Sequence, residues 1–175
     1  YIPRFYNVSY DKDGKISGRH ISEGVPEIIK KRYLKDITKS GIEASIVTPE
    51  TEFSDMYLIE AMRGCPWSCR FCVAGHIYNP FRKKAFQALE NEIKSALAKT
   101  KRVGLIGPSL SDYPDIKEVL KIPEVDFSIT SLRASAKSAE VVGLLRGHKS
   151  ISIAPEAGTE RLRKVINKKI TEQDI

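Results

Sequence analysis

The stretch Arg63-Gly64-Cys65-Pro66-Trp67-Ser68-Cys69-Arg70-Phe71-Cys72 contains every cysteine of the chain, in a C-x3-C-x2-C spacing. Three thiolates this close together on one loop can ligate one metal centre. Most iron–sulfur clusters take four cysteine ligands, so a cluster held by three keeps one iron atom free to bind a small molecule. The stretch therefore predicts a metal centre that has an open coordination position.

Two other uses of these cysteines compete with a cluster. A disulfide would leave one thiol over, and nothing in the sequence suggests a secreted scaffold. His76 follows Cys72 at a C-x3-H spacing and can complete a Cys3His zinc site with the three cysteines. Structural zinc sites usually join two separate segments, whereas these ligands would tie down only one loop. We therefore favour the cluster and expect His76 to lie nearby without binding metal.

Composition indicates an ordinary globular protein. Of the 175 residues, 41% are hydrophobic and 29% are charged, and no apolar run approaches the length of a membrane span. The net charge is +7, but the basic residues are dispersed, which favours a solvated surface over a nucleic-acid-binding one. The chain opens on Tyr1 and ends in an apparent helix start at Thr171, so we expect it to be a fragment of a longer protein.

The first 53 residues predict a β-hairpin followed by a connector. Alternating residues over 1–20 flank the turn-forming run Asp11-Lys12-Asp13-Gly14-Lys15. A short helix over 26–36, with Pro26 at its first position, comes next. The polar stretch that follows, up to Phe53, runs as the connector.

From residue 54 onwards, strands alternate with helices. The predicted strands are 56–62, 103–106, 125–130 and 150–154, and the predicted helices are 83–99, 114–120, 136–146 and 158–167. Four such units indicate an α/β fold with a parallel sheet and right-handed crossovers. Ligands bind at the carboxyl ends of the strands in such sheets, and the cysteine stretch directly follows the first strand.

Polar residues follow the other strands at the same edge. Gly107-Pro108-Ser109 follows the second strand, and a plain strand-to-helix turn is the alternative there. Ser131 and Arg133 follow the third strand, and the forked donors of arginine suit a carboxylate, although an exposed loop arginine fits equally well. Glu156 ends the fourth strand, where its carboxylate can accept hydrogen bonds from hydroxyls or an ammonium group. Thr159 is expected to cap the last helix.

The cysteine stretch resembles the cluster loop of radical S-adenosylmethionine (radical SAM) enzymes, in which an aromatic residue, here Phe71, precedes the third cysteine. Further stretches that begin at Ile59, Cys72, Gly107 and Pro155 resemble a largely uncharacterised subgroup that often carries a cobalamin-binding-like domain upstream. This resemblance implies a partial (βα) barrel of six units. About four of them lie in 54–175, the N-terminal part of the barrel, and 1–53 is the hairpin and connector segment that precedes it.

The resemblance also implies a chemistry. Cys65, Cys69 and Cys72 would hold a [4Fe–4S] cluster that cleaves S-adenosylmethionine to methionine and a 5′-deoxyadenosyl radical, which takes hydrogen from an unknown substrate. The implied cofactor contacts are Phe71 beside the adenine, Gly107, Pro108 and Ser109 near the methionine amino group, Ser131 and Arg133 at the ribose or carboxylate, and Glu156 at the ribose or an ammonium.

The resemblance also implies an electron donor and a cellular compartment for this chemistry. An electron donor such as flavodoxin or ferredoxin is expected, in a reducing cytoplasm and away from membranes. Cobalamin would enter only through an upstream domain, and no catalytic residue is identified. Two alternatives stay open: a zinc-stabilised Cys3His module that binds nucleic acid without catalysis, and a scaffold fragment that holds no cluster on its own.

Overall fold

The computed structural model describes residues 1–41, 43–44, 46–129, 132–145 and 151–175. These residues divide into two units by their contacts, Tyr1–Leu34 and Lys35–Ile175. The expected segments 1–53 and 54–175 are drawn on sequence and not on contacts, and they remain a prediction about domain organisation.

The first unit is built on the predicted hairpin, which the structure confirms. Strand β1 (Tyr6–Tyr10) pairs antiparallel with strand β2 (Ile16–Ile21). In the turn, one carboxylate oxygen of Asp11 accepts hydrogen bonds from the backbone N–H groups of Asp13 and Lys15, each at 2.9 Å. Such local side-chain bonds are the reason that aspartate favours turns.

The helix predicted over 26–36 is wrong, because the structure has no helix in this segment. Its first carbonyl groups accept hydrogen bonds from side chains of the hairpin. The hydroxyl of Tyr6 donates to the carbonyl of Pro26 at 2.8 Å, and Arg19 donates to the carbonyl of Glu27 at 3.3 Å. These carbonyls therefore accept hydrogen bonds from side chains and not from the backbone N–H groups that a helix would provide.

The second unit is organised around a parallel sheet. Its strands are β3 (Tyr57–Glu60), β4 (Met62–Arg63), β5 (Arg82–Lys83), β6 (Arg102–Ile106) and β7 (Asp126–Ile129). The parallel sheet has the order β3-β6-β7, while β4 and β5 form a separate antiparallel pair. The predicted α/β fold with a parallel sheet is thus confirmed for three strands, and closure into a barrel stays a prediction.

Within the described residues, the predicted fourth strand is represented by a single parallel bridge. Leu132 and Ile153 form a parallel bridge, and the N–H of Leu132 donates to the carbonyl of Ser152 at 3.1 Å. The start of that strand, at Ser150, lies outside the described residues. This bridge places the residues from Ile153 onwards next to those from Leu132 onwards.

The four helices predicted after residue 54 appear in the predicted order with shorter bounds, and a short helix that was not predicted precedes them. They are α1 (Ala74–Ile77), α2 (Phe86–Ala96), α3 (Ile116–Leu120), α4 (Ala136–Leu144) and α5 (Glu160–Val165), with 3₁₀ turns at Pro3–Phe5, Ile37–Lys39, Leu110–Asp112 and Glu172–Asp174. Helix α2 buries Leu89, Ile93 and Ala96 in a core that includes Ile59 and Val103. Within the described ranges, none of these helices has the length and apolar character that crossing a bilayer demands.

Candidate metal and cofactor site

The chain enters the cysteine loop by a turn that only glycine allows. Gly64 follows β4 with a φ of +76°, and a Cβ atom there would lie 2.5 Å from the carbonyl oxygen of Tyr78. Just before it, Nε of Arg63 donates to a carboxylate oxygen of Glu60 at 2.7 Å. Since β4 pairs with β5, the loop leaves and re-enters the fold at the carboxyl end of β3.

Helix α1 lies directly against the cysteine loop. A Cβ atom on Gly75 would lie 2.5 Å from the carbonyl oxygen of Trp67, so the approach needs a residue without a side chain. The side chain of Asn79 donates to the carbonyl of Gly75 from the other end of the helix. The Nε2 atom of His76 lies 3.3 Å from the carbonyl oxygen of Cys69.

All three cysteines are free thiols, with Cys69 buried and the other two half-buried. Burial raises the pKa of the Cys65 thiol above its ordinary value, and a hydrogen bond from the backbone N–H of Trp67 works against this rise. The negative charges of Cys69, Cys72 and Asp112 raise the same pKa further. Cys69, Cys72 and Asp112 are therefore close enough to Cys65 to influence its ionisation.

The residues present fit an iron–sulfur cluster by their chemistry. Three thiols on one loop, none of them in a disulfide, are the donor type that such clusters take. Among the residues that the structure describes, no three His, Cys, Asp or Glu side chains converge closely enough to hold a single metal ion. In such a cluster each cysteine would bind a separate iron atom, so the three thiols need not converge on one ion.

Trp67 joins the cysteine loop to the ends of two neighbouring strands. Its indole N–H donates to a carboxylate oxygen of Asp112 at 2.6 Å, in the loop after β6. The hydroxyl of Ser109 donates to the same carboxylate oxygen. The guanidinium carbon of Arg133, after β7, lies 3.9 Å from the centre of a Trp67 ring. Two of the predicted site residues, Ser109 and Arg133, are thus brought to the cysteine loop through one side chain.

The predicted Gly107-Pro108-Ser109 stretch follows β6 as expected. A Cβ atom on Gly107 would lie 2.3 Å from the side chain of Met62, so the glycine permits close packing against β4. Pro108 is exposed and Ser109 is buried. Further along the same loop, the hydroxyl of Ser111 is buried and has no hydrogen-bond partner within the described ranges.

Arg133 contacts the backbone of a segment far along the chain. Its guanidinium donates to the carbonyl of Lys168 and, at 2.5 Å, to the carbonyl of Lys169. The guanidinium thus bonds two carbonyl groups besides stacking on the tryptophan. Ser131, predicted beside it, lies outside the described residues.

The end of helix α5 is fastened to the cysteine loop. The N–H of Arg70 donates to the carbonyl of Ile166 at 2.9 Å, and its guanidinium donates to the carbonyl of Val165. The side chain of Asn167 donates to the carbonyl of Ser68 at 2.7 Å. The loop is therefore fixed from a helix almost a hundred residues away, as well as from the strand ends.

Glu156 and Phe71, both predicted site residues, meet at Lys168. The Nζ atom of Lys168 lies 2.8 Å from a carboxylate oxygen of Glu156 and 5.8 Å from the centre of the Phe71 ring. Lys168 is only 8% exposed, whereas Phe71 is 53% exposed. The lysine therefore lies inside the site and the aromatic ring lies at its surface.

Buried Arg163 holds the segment that carries Lys168. Its guanidinium donates to the carbonyl of Ile170 at 2.9 Å and to the carbonyl of Ala157 at 2.8 Å, and it pairs with Glu172. Arg163 is 1% exposed. It therefore ties the strand end beside Glu156 to the turn that follows helix α5.

Sequence reasoning missed Trp67 and Lys168 as site residues. Trp67 lies inside the cysteine stretch, and its position between two ligands was a usable signal. Lys168 lies in a pair of lysines that reads as solvated surface, and no local pattern distinguishes it.

Comparison with known proteins agrees with the geometry. A family model described as the radical SAM superfamily matches residues 59–175. An uncharacterised protein of Methanocaldococcus jannaschii is 38% identical over 157 residues, which cover 84% of this chain and 34% of that protein. The chain thus spans about a third of the length of this relative.

Proposed function

Since the chain belongs to the radical SAM superfamily, we propose that it is the cluster-binding part of a radical SAM enzyme, in which Cys65, Cys69 and Cys72 hold a [4Fe–4S] cluster. When bound, the cluster supplies the electron that cleaves S-adenosylmethionine to methionine and a 5′-deoxyadenosyl radical, which takes hydrogen from a substrate. The observation that carries this proposal is the loop of three free cysteines at the carboxyl end of a parallel sheet.

The strand ends provide the proposed cofactor contacts. The proposed contact residues are Phe71, Gly107, Pro108, Ser109, Ser131, Arg133 and Glu156. Their roles follow the resemblance: Phe71 beside the adenine, Gly107-Pro108-Ser109 near the methionine amino group, Ser131 and Arg133 at the ribose or carboxylate, and Glu156 at the ribose or an ammonium. Support comes from Trp67 and Lys168, which link Ser109, Arg133, Phe71 and Glu156 into connected contacts around the cysteine loop.

The protein's own contribution is to fix the loop and limit access of water. Cys69 is buried, and the loop around it is fastened by Trp67 on one side and by Asn167 on the other. A site that is held in place needs little rearrangement when its ligands bind. Exclusion of water also protects reactive intermediates from side reactions.

The remaining parts of the proposal concern the longer protein. We propose that residues outside this chain complete the partial barrel that 54–175 begins, and that 1–53 joins it to a preceding domain. Cobalamin would take part only through such a domain. A flavodoxin or ferredoxin in a reducing cytoplasm is the proposed electron donor, and the substrate is left to experiment.

The test is anaerobic reconstitution with iron and sulfide. We expect electron paramagnetic resonance of the reduced protein to show a [4Fe–4S]⁺ signal that shifts when S-adenosylmethionine is added. Cys69→Ala should lose the signal and the cleavage of S-adenosylmethionine. Cleavage retained by this variant, or zinc bound without acid-labile sulfide in the parent chain, would contradict the assignment.

A further inference from the structure

Positive charge is concentrated in two segments of the chain. Residues 61–89, which contain the cysteine loop, include five basic residues and no acidic one, and residues 161–171 include another five basic residues and no acidic one. Since the whole chain has 29 basic and 22 acidic residues, the remainder has 19 basic and 22 acidic residues. The net charge of +7 therefore comes from these two segments.

The fold brings the two segments together at the cysteine loop. The backbone N–H of Arg70 donates to the carbonyl of Ile166 at 2.9 Å, and the guanidinium of Arg70 donates to the carbonyl of Val165. The side chain of Asn167 donates to the carbonyl of Ser68 at 2.7 Å. Charges that lie almost a hundred residues apart in the sequence thus share one region of the second unit.

Ion pairs with glutamate take up only part of this charge. Five of the basic residues are paired in this way: Arg63, Lys84, Arg163, Lys164 and Lys168. Arg70, Arg161 and Lys169 are exposed, and within the described ranges no carboxylate lies close enough to pair with them. The backbone of Lys169 is tied to the same region, because its carbonyl accepts from Arg133, which stacks on Trp67.

Exposed apolar side chains lie among these charges. Val73, which follows Cys72, is 62% exposed, and Val165, whose carbonyl binds Arg70, is 49% exposed. Arg161 precedes Val165 by one helical turn, so the two share a face of helix α5. Apolar residues bordered by charged ones are typical of protein–protein interfaces, of which transient redox complexes have the smallest. We call this surface the cationic patch, and its residues are Arg70, Val73, Arg161, Val165 and Lys169.

We infer that the cationic patch is the surface on which an acidic, one-electron donor protein docks to reduce the cluster. One electron leaves the donor and converts a bound [4Fe–4S]²⁺ cluster into [4Fe–4S]⁺, and no bond or proton moves with it. An electron crosses between proteins only where the two redox groups come close, and Arg70 and Val73 directly follow two of the proposed ligands. A positive surface attracts an acidic partner and orients it before contact.

This inference deepens the proposed function and rests on it for the presence of the cluster. The proposed function requires a donor but assigns it no binding surface. Sodium dithionite reduces a cluster without a docked protein, so the dithionite-reduced signal reports on the cluster alone. Single-stranded nucleic acid is the other polyanion that a positive surface attracts, but the patch offers two valines and no aromatic ring on which bases stack, which favours a protein.

The experiment compares two reductants of opposite charge on the reconstituted chain, flavodoxin hydroquinone, an acidic protein, and the methyl viologen radical, a small cation. The double variant Arg161→Glu, Lys169→Glu should slow reduction by flavodoxin roughly tenfold or more at low ionic strength, because two attractive charges become repulsive. Methyl viologen should reduce it at least as fast as the parent. The matched control is Lys101→Glu, Lys121→Glu, which reverses two exposed charges that precede β6 and β7 at the opposite edge of the sheet and should change the flavodoxin rate less than about twofold.

A second measurement needs no variant and covers the case in which the double variant does not fold. In the parent, the flavodoxin rate should fall roughly fivefold or more as the ionic strength rises from about 0.02 M to about 0.3 M, whereas the methyl viologen rate should not fall, because salt screens an attraction in the first case and a repulsion in the second.

Four results would overturn the inference. They are a flavodoxin rate that ignores salt, a rate unchanged in the patch variant, a rate slowed equally in the control variant, and a parent that dithionite reduces but flavodoxin and ferredoxin do not. A patch variant that loses binding of an oligouridylate and keeps its flavodoxin rate would make the patch a nucleic-acid surface instead. A parent without a cluster signal in dithionite counts against the proposed function, and not against the location of the patch.

Discussion

The indole N–H of Trp67 donates a 2.6 Å hydrogen bond to the carboxylate of Asp112, which lies 45 residues further along the chain. This bond connects the cysteine loop after β4 to the loop after β6. Because Asp112 also accepts from Ser109, one carboxylate sets the positions of both loops. The spacing between the proposed cluster ligands and the proposed methionine-binding loop thus depends on this contact.

Trp67→Phe should lower the free energy of unfolding by about 2 kcal/mol, because a hydrogen bond to a charged acceptor is lost while most of the ring is kept. Urea unfolding measures this change. In an Asp112→Ala background the same substitution should cost at least about 1 kcal/mol less, since the partner is already absent. Equal costs in both backgrounds would show that the bond contributes nothing.

Gly75→Ala should destabilise the protein by about 1 to 3 kcal/mol, because the added methyl group meets the backbone of Trp67, which cannot move aside as a side chain can. The iron content after reconstitution should fall with it. The matched control is Gly143→Ala in helix α4, where a Cβ atom meets nothing within 4 Å. That change should raise the free energy of unfolding by about 0.5 to 1 kcal/mol. Similar effects at both glycines would refute the close approach.

Arg163→Met should lower the free energy of unfolding by about 3 kcal/mol, since the carbonyls of Ala157 and Ile170 lose a buried donor. Amide hydrogen exchange should speed up in 167–172 more than in strand β6. Glu172→Gln is the control, because the Glu172 side chain is 64% exposed and should contribute less than about 1 kcal/mol. If Glu172→Gln lowered the free energy of unfolding as much as Arg163→Met does, the ion pair, and not the hydrogen bonds to the two carbonyls, would hold the segment 167–172.

Alkaline pH should destabilise the protein through Tyr113. Burial, and next the charge of Asp115, raise the pKa of this phenol from 10.0 to about 12. The unfolded chain therefore loses the proton first, so the free energy of unfolding falls as pH rises from 10 towards 12. Relative to Tyr113→Phe, the parent should lose about 1 kcal/mol between pH 9 and pH 11. Parallel pH profiles for the two proteins would contradict this assignment.

Tyr113→Phe also removes a hydrogen bond, and this effect on stability can be measured separately from the pH dependence. Tyr113 donates to the carbonyl of Lys84 at 3.0 Å, so Tyr113→Phe should cost about 1 kcal/mol at pH 7. This cost is independent of pH below the titration range. The two contributions are therefore read from the offset and from the slope of the same series of unfolding curves.

Local patterns in the sequence predicted the parts of the fold that depend on local physics. The hairpin followed from alternation around Asp11, and helix α2 followed from Leu89 and Ile93 at helical spacing. The carboxyl ends of the parallel strands were then located by topology alone. The helix predicted after Pro26 was wrong because side chains of Tyr6 and Arg19 donate hydrogen bonds to the first carbonyls of this segment. A prediction from local propensity does not take such distant partners into account.

In the candidate site, too, the residues marked by a local pattern were predicted and those placed by distant contacts were not. The cysteines, Phe71 and Glu156 stand out by spacing or by position at a strand end. Lys168 enters the site through contacts that depend on how helix α5 ends, with Asn167 and Lys169 in left-handed conformations. None of the neighbouring residue types predicts these left-handed conformations, so the sequence alone shows only a pair of lysines.

The fastening of the cysteine loop to the end of helix α5 has a consequence for the order of events during synthesis. Asn167 and Ser68 are separated by 99 residues, which a ribosome takes roughly 5 to 20 seconds to add. During that interval the thiols leave the ribosome before the helix that steadies them exists. We therefore expect the loop to take up iron only after Asn167 has been translated. A nascent chain halted before that residue should take up iron poorly.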